Sequence, residues 1–237
     1  MTTSDLLDAL YSIDSSTNYN RWLYKTIEQD LQGARQVLDV GSGIGSIGQY
    51  LGEDRAKQII LSDNCEKMLH LLKMRFGHLS NYQIIKLNIM EDMCRPVPFK
   101  SVDAITCINV LEHIKADAKA LENMRQLLRP GGKLLLIVPA LSWLYGTLDQ
   151  LAGHYRRYER VELNRKLEKC GLAIKKQRCI NFFGMFTWYL AGKVLRQNRF
   201  SDKTNQFLDK LVPFLEWIEQ WWRFPIGQSI VTCCQKV

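Results

Sequence analysis

From Gln36 onward the chain alternates short β-rich apolar runs with stretches of helical spacing, and no other feature constrains its fold as strongly. The runs are QVLDV (36–40), QIILSD (58–63), YQIIKLN (82–88), VDAITCIN (102–109), KLLLIVPA (133–140) and LAIKKQRCI (172–180). Between them, SIGQYLG, CEKMLHLLKMRF, ALENMRQLL and VELNRKLEKC carry apolar residues three and four apart. Strands interleaved with helices build a parallel sheet covered on both faces, and strands so buried read as continuous apolar runs. Gly77, Pro130-Gly131-Gly132 and Gly171 supply stops where the helical patterns end. The expected architecture is α/β: a doubly wound, seven-stranded, mostly parallel sheet, closed by SIVTCCQKV (229–237) as its last strand.

Two segments stand outside the alternation. Residues 1–34 read as one or two helices, with Leu6, Leu7 and Leu10 on one face and Trp22, Leu23 and Ile27 on another. We expect them to form an N-terminal helical lid ahead of an α/β domain at 35–182. Residues 183–228 hold four of the six tryptophans and six of the nine phenylalanines. Phe207, Leu211, Phe214, Ile218 and Trp221 recur there at helical intervals, with Pro213 placed to kink or restart the helix. The expectation is a helical cap insertion packed on the domain, apolar within and basic around, before the final strand at 229–237.

Composition narrows the function classes. No stretch reaches the roughly 18 uninterrupted apolar residues of a spanning helix, and MTTSDLLDALYS carries acids where a signal peptide carries bases. The reading is a cytoplasmic chain. Seven scattered cysteines without a CxxC pair argue for reduced thiols and against a structural zinc site. The net charge of +8 lies wholly in residues 141–237, where 16 basic residues face 8 acids. Such asymmetry favours an anionic partner near that half, or else a solvated basic face.

VLDVGSGIGSIG (37–48) is a strand, a glycine turn and a helix start. Glycine adopts turn dihedrals closed to other residues and lets a ligand approach the backbone. The pattern satisfies GxGxxG from Gly43, but the strand ends at Val40, and counted from Gly41 the dinucleotide fingerprint fails at Ser46. Asp39 would repel a pyrophosphate and attract a cation. Asp63, ending the next strand, is placed to accept ribose hydroxyls. A nucleoside with a positive centre and no phosphate fits, and S-adenosylmethionine is such a ligand.

With LSD (61–63), LNIMED (87–92), VDAITCINVLEHI (102–114) and LRPGGKLLLIVP (128–139), the chain resembles class I S-adenosylmethionine-dependent methyltransferases of Rossmann-like fold. The segment HYRRYE (154–159) is similar to a bacterial subgroup of small-molecule and lipid-associated members. The resemblance implies that Gly41, Gly43 and Gly45 lie along the methionine end, with Asp39 near its ammonium. Asp63 would hold the ribose, Asn64 the adenine edge, Asn88 the exocyclic amine and Ile89 the ring. The carbonyl of Asn109 would face the donor's amino group. Where the family often has Asp, Asn88 still offers a carbonyl acceptor.

Methyl transfer is an in-line displacement that needs alignment and, for a hydroxyl or amine acceptor, a base. It requires no metal, and the sequence shows no carboxylate cluster to hold one. His154 reads as general base or substrate contact, or as a structural loop residue; His113 reads as a helix-start residue packing under the cofactor. Tyr155, Arg156 and Arg157, with Tyr158 and Arg160, form a clamp for an anionic group or a set of helix-flanking charges. Tyr19 and Trp22 are a lid or core packing. The expected reaction is methylation of a hydrophobic or amphiphilic small molecule, anionic, lipid-linked or carrier-bound, at oxygen first and at carbon or nitrogen next. Peripheral membrane contact and a homo-oligomer are compatible with the cap. An RNA methyltransferase is disfavoured because INVL (108–111) stands where an NPPY-like tetrapeptide would follow the fourth strand. From other classes, a non-catalytic S-adenosylmethionine-binding scaffold and an NAD-dependent oxidoreductase remain as alternatives.

Overall fold

The computed structural model describes residues 16–91, 97–197, 202–222 and 224–237. Leu6, Leu7, Leu10 and Asp92 of the expectations above lie outside them, as does Cys94, one of the seven cysteines. The seven expected strands form: β1 (Gln36–Val40), β2 (Gln58–Asp63), β3 (Tyr82–Lys86), β4 (Val102–Ile108), β5 (Leu128–Pro139), β6 (Leu172–Ile180) and β7 (Ser229–Lys236). They make one sheet in the order β3-β2-β1-β4-β5-β7-β6. Neighbours pair in parallel from β3 through β5, while β7 runs antiparallel to both β5 and β6. The chain order reverses between β1 and β4, so the crevice beyond their carboxyl ends is where a ligand meets an α/β sheet.

The helices cover both faces. They are α1 (Thr17–Glu28), α2 (Gly48–Leu51), α3 (Glu66–Phe76), α4 (Asp117–Leu127), α5 (Thr147–Ala152), α6 (Arg160–Lys169), α7 (Phe182–Tyr189) and α8 (Asp202–Trp221). Successive strand residues feed opposite cores. Leu38, Ile60, Ile105 and Leu136 pack with Leu121 and Met124 of α4 and Leu163 and Leu167 of α6. Val37, Ile59, Leu135 and Ile137 pack with Trp22, Leu23 and Ile27 of α1 and with Leu72 and Phe76 of α3. Cys233 and Cys234 follow the same rule, one in each core. All six cysteines among the described residues are unpaired. Each fully buried Leu or Ile contributes about 1.5–3 kcal/mol by transfer from water.

The insertion before β7 differs from expectation in its polarity. α8 runs straight through Pro213, which has no N–H to offer the carbonyl four residues back. That carbonyl, on Asp209, accepts instead from Asn18 Nδ2 at 3.2 Å, so α1 takes over the missing helical bond. Val212 is buried, but Phe207, Leu211, Phe214, Trp217 and Trp221 face solvent. The aromatic face expected inside therefore lies outside, because three acids on the opposite face hold the helix to the body. Among the described residues, no helix is long and apolar enough to cross a membrane.

Candidate active site

The carboxyl end of β1 opens into the glycine turn. Gly41, Gly43 and Gly45 take φ of +71°, +56° and +86°, a region that costs other residues strain. A Cβ on Gly41 would lie 2.6 Å from Val110 Cγ2, so the turn and the loop after β4 close-pack only without a side chain. Asp63, ending β2, clasps the turn: Oδ2 accepts the Gly43 N–H at 3.0 Å and Oδ1 the Cys65 N–H at 2.8 Å. Burial raises its pKa, and these two backbone donors oppose the shift.

A cavity of about 370 Å³ lies over this turn, lined among others by Tyr19, Asp39, Gly41, Ser42, Gly43, Asn109, Glu112, His113, His154, Arg157 and Trp188. Asp39 is buried, and its Oδ1 accepts from Thr106 Oγ1 at 2.6 Å. Burial pushes its pKa up to about 6, with the Thr106 and Ser42 hydroxyls opposing. A carboxylate so desolvated gains from a cationic ligand. Asn109 follows β4 in the left-handed region at φ +52°, held by its N–H to Ile137 O at 2.8 Å, and so turns the backbone into the cavity. These residues fit the methionine end of S-adenosylmethionine. Asn64, Asn88 and Ile89 do not line the cavity; they follow β2 and β3 along the same edge of the sheet. Ile89 is buried, and Asn88 Oδ1 caps the Met90 N–H at 3.1 Å.

The opposite wall is a buried polar network centred on Asp149 of α5, which is fully buried. Its Oδ1 accepts from Arg157 Nε at 2.7 Å and lies 2.9 Å from His154 Nδ1. Its Oδ2 accepts from Trp188 Nε1 at 3.0 Å and from the Gly146 N–H at 3.0 Å. Burial alone would raise the Asp149 pKa, yet the His154 hydrogen bond, the Arg157 charge and the Trp188 donor hold it below the usual carboxylate range. With Nδ1 directed to Asp149, the Nε2 of His154 faces Glu112, 3.9 Å from its Oε1. Glu112 is fully buried, neither of its oxygens has a hydrogen-bond partner, and desolvation lifts its pKa to about 7. The His113 ring meets that of His154 edge-on at 4.8 Å, and burial drives its pKa down to about 4. One ligand atom each from Glu112, His113 and His154 lie within 4.8 Å of one another. The sequence reading found no such cluster, because His154 lies 41 positions after His113 and only folding joins them.

The expected clamp divides. Arg157 lines the cavity, but its Nη1 donates to Ala140 O at 3.0 Å and its Nε to Asp149, so it organises the wall. Arg156 turns away to Asp117 Oδ2 at 2.9 Å and Lys115 O at 2.8 Å. Tyr155 is exposed outside the cavity, while Tyr158 is buried and donates to Asp117 Oδ2 at 2.9 Å. Tyr155 and Arg156 thus point away from the cavity, while His154, Arg157 and Tyr158 turn inward. Trp22 belongs to the core and Tyr19 to the cavity wall. Glu112, Asp149 and Trp188 were missed. Of these Asp149 and Glu112 left a legible signal, carboxylates five residues before His154 and immediately before His113.

Residues 38–136 match the methyltransferase domain family. The ubiquinone biosynthesis O-methyltransferase of Idiomarina loihiensis is 29% identical over 117 residues, 47% of this chain and 46% of that protein. The demethylmenaquinone methyltransferase of Deinococcus radiodurans is 30% identical over 151 residues, 62% of this chain and 61% of that protein. The chain therefore spans roughly half to three-fifths of the length of these relatives. In fold it is similar to phosphoethanolamine N-methyltransferase 2 of Haemonchus contortus, solved with S-adenosyl-L-methionine: TM-score 0.62 at 17% identity, covering 90% of this chain and 52% of that one. The likeness thus covers residues 38–136 in sequence and the doubly wound sheet in fold, which is the Rossmann-like fold of the solved methyltransferases.

Proposed function

We propose that this chain transfers a methyl group from S-adenosylmethionine to an oxygen of a hydrophobic or amphiphilic small molecule, a phenol being the acceptor class tested first. The observation that carries the reading is the buried Asp149–His154 pair on the cavity wall facing the glycine turn. The names of the two relatives, a ubiquinone biosynthesis O-methyltransferase and a demethylmenaquinone methyltransferase, support a hydrophobic small-molecule acceptor, and the first supports oxygen as its methylated atom. Bound S-adenosylmethionine supplies an electrophilic methyl on a sulfonium. Asp39 and the turn carbonyls hold its amino-acid end, and Asp63 its ribose. The acceptor oxygen forms a bond to the methyl carbon as the carbon–sulfur bond breaks, and the electron pair stays on sulfur. The acceptor proton passes to His154 Nε2, while Asp149 keeps Nδ1 protonated and stabilises the imidazolium.

A second reading rests on Glu112, whose two unpartnered oxygens meet two imidazoles. A divalent cation bound by Glu112, His113 and His154 would lower the pKa of an acceptor hydroxyl directly, with Asp149 orienting His154 from behind. Turnover on a panel of amphiphilic phenols, before and after chelator dialysis, separates the two. In the first reading His154→Gln lowers kcat by about 10²–10⁴-fold with S-adenosylmethionine binding intact, and the chelator is without effect. Loss on dialysis with recovery on adding cation selects the second. A kcat unchanged by both treatments removes both and points to a carbon acceptor.

A further inference from the structure

α8 is packed inside out. At roughly 100° per residue, Asp209, Val212, Glu216 and Glu219 share an arc of about 80° toward the body. Asp209 Oδ1 accepts the Tyr19 N–H at 2.9 Å, Glu216 pairs with Lys25 at 2.9 Å, and Glu219 accepts the Asn181 and Phe182 N–H groups at 2.9 and 2.8 Å. On the far side Phe207, Leu211, Phe214, Trp217 and Trp221 are between 39% and 74% exposed. α7 and the π-helical turn after it (Leu190–Val194) extend this surface: Phe186, Tyr189, Leu190 and Val194 are also exposed. Ring contacts join the two helices, Trp222 to Phe224 at 6.4 Å, Phe224 to Phe182 at 4.1 Å and Phe182 to Phe186 at 5.3 Å.

Charge identifies what covers such a face. Among the described residues, the exposed charged side chains of these two helices and the turn after α7 are Lys193, Arg196 and Lys210, all cationic. Every described acid of α8 is held on the other side. Two copies meeting through this face would set like charges together. An anionic surface matches it, and indole and phenol rings flanked by lysine suit the headgroup layer of a bilayer. We propose that the outer face of α7 and α8 docks on an anionic lipid bilayer, α8 lying in the plane of the headgroups. Trp188, two residues after Phe186, points the other way into the cavity wall. One helix thus borders both membrane and site. If the acceptor is amphiphilic, as the proposed function has it, it enters from the lipid side.

Co-sedimentation of the full chain with vesicles tests this, using phosphatidylcholine alone and phosphatidylcholine with about a third phosphatidylglycerol. The wild type is expected on the anionic vesicles only, released by salt, with tryptophan emission shifted to the blue. The double variant Trp217→Ala, Trp221→Ala is expected to bind about tenfold or more weakly, and Lys210→Glu to bind less. Both variants should take up S-adenosylmethionine as the wild type does, so the docking result stands apart from the reading of the cavity. Absence of vesicle binding, binding unchanged in the double variant, or a dimer in solution that the double variant dissociates would each overturn the proposal.

Discussion

Replacing Asp149 by Asn tests the polar network with almost no change of shape. Each carboxylate oxygen faces two groups, Arg157 and His154 at Oδ1, Trp188 and Gly146 at Oδ2. Whichever oxygen becomes an NH2 then meets two donors. The lost charge also leaves Arg157, 3% exposed, with no paired anion and only neutral acceptors such as the Ala140 carbonyl. Breaking a buried pair in this way costs about 3–5 kcal/mol. For a chain of this size each kcal/mol lowers Tm by about 2–4 °C, so a fall of roughly 6–20 °C is expected. Below the cavity's melting point, kcat should fall by about 10²–10⁴-fold, because an amide lets His154 turn to the tautomer with its proton on Nε2. Calorimetric unfolding, S-adenosylmethionine titration and turnover, on the same preparation, separate the two effects. The pH dependence carries a sign. With the folded pKa of Asp149 lowered, its stabilisation is present above the unfolded value and is lost as pH falls through the folded one. The variant's stability should therefore fall less on acidification. A Tm within about 1 °C of wild type would refute the argument that this carboxylate holds the wall together.

Asp39, raised to about 6, should make S-adenosylmethionine affinity climb with pH up to roughly that value and then level off, since the ligand's ammonium favours the ionised form. Titration calorimetry across this range should show the slope in the wild type and none in Asp39→Asn. Asp63→Ala should weaken S-adenosylmethionine and S-adenosylhomocysteine by about 1–3 kcal/mol, with no NADH binding in either protein; tight NADH binding would revive the dinucleotide reading. Gly41→Ala adds a Cβ 2.6 Å from Val110 Cγ2 at a φ of +71°, and should lower stability by about 1–3 kcal/mol in urea unfolding.

The glycine turn was legible because its chemistry is local. A strand, three glycines at spacing two and an acid before them are neighbours in sequence, and their backbone requirements do not depend on the rest of the chain. The wall of the cavity was not. Glu112 and His113 come from a short 3-10 helix after β4 and His154 from the loop after α5, and the network around Asp149 needs Trp188 from a helix 39 positions away. HYRRYE announced chemistry without saying which residues face it, since that depends on how the segment seats beside Ala140, to which Tyr158 is bridged.

The strand and helix order and the glycine turn after the first strand follow from the sequence itself, since periodicity and glycine dihedrals are written residue by residue. The outward face of α8 shows the opposite case. Its apolar stripe looks like a buried one in sequence, and the pattern cannot say which side meets the body. That choice belongs to the tertiary structure. The amides of Asn18, Tyr19, Asn181 and Phe182 and the ammonium of Lys25 pair with the three acids of the helix and leave its aromatic side to be covered by something else.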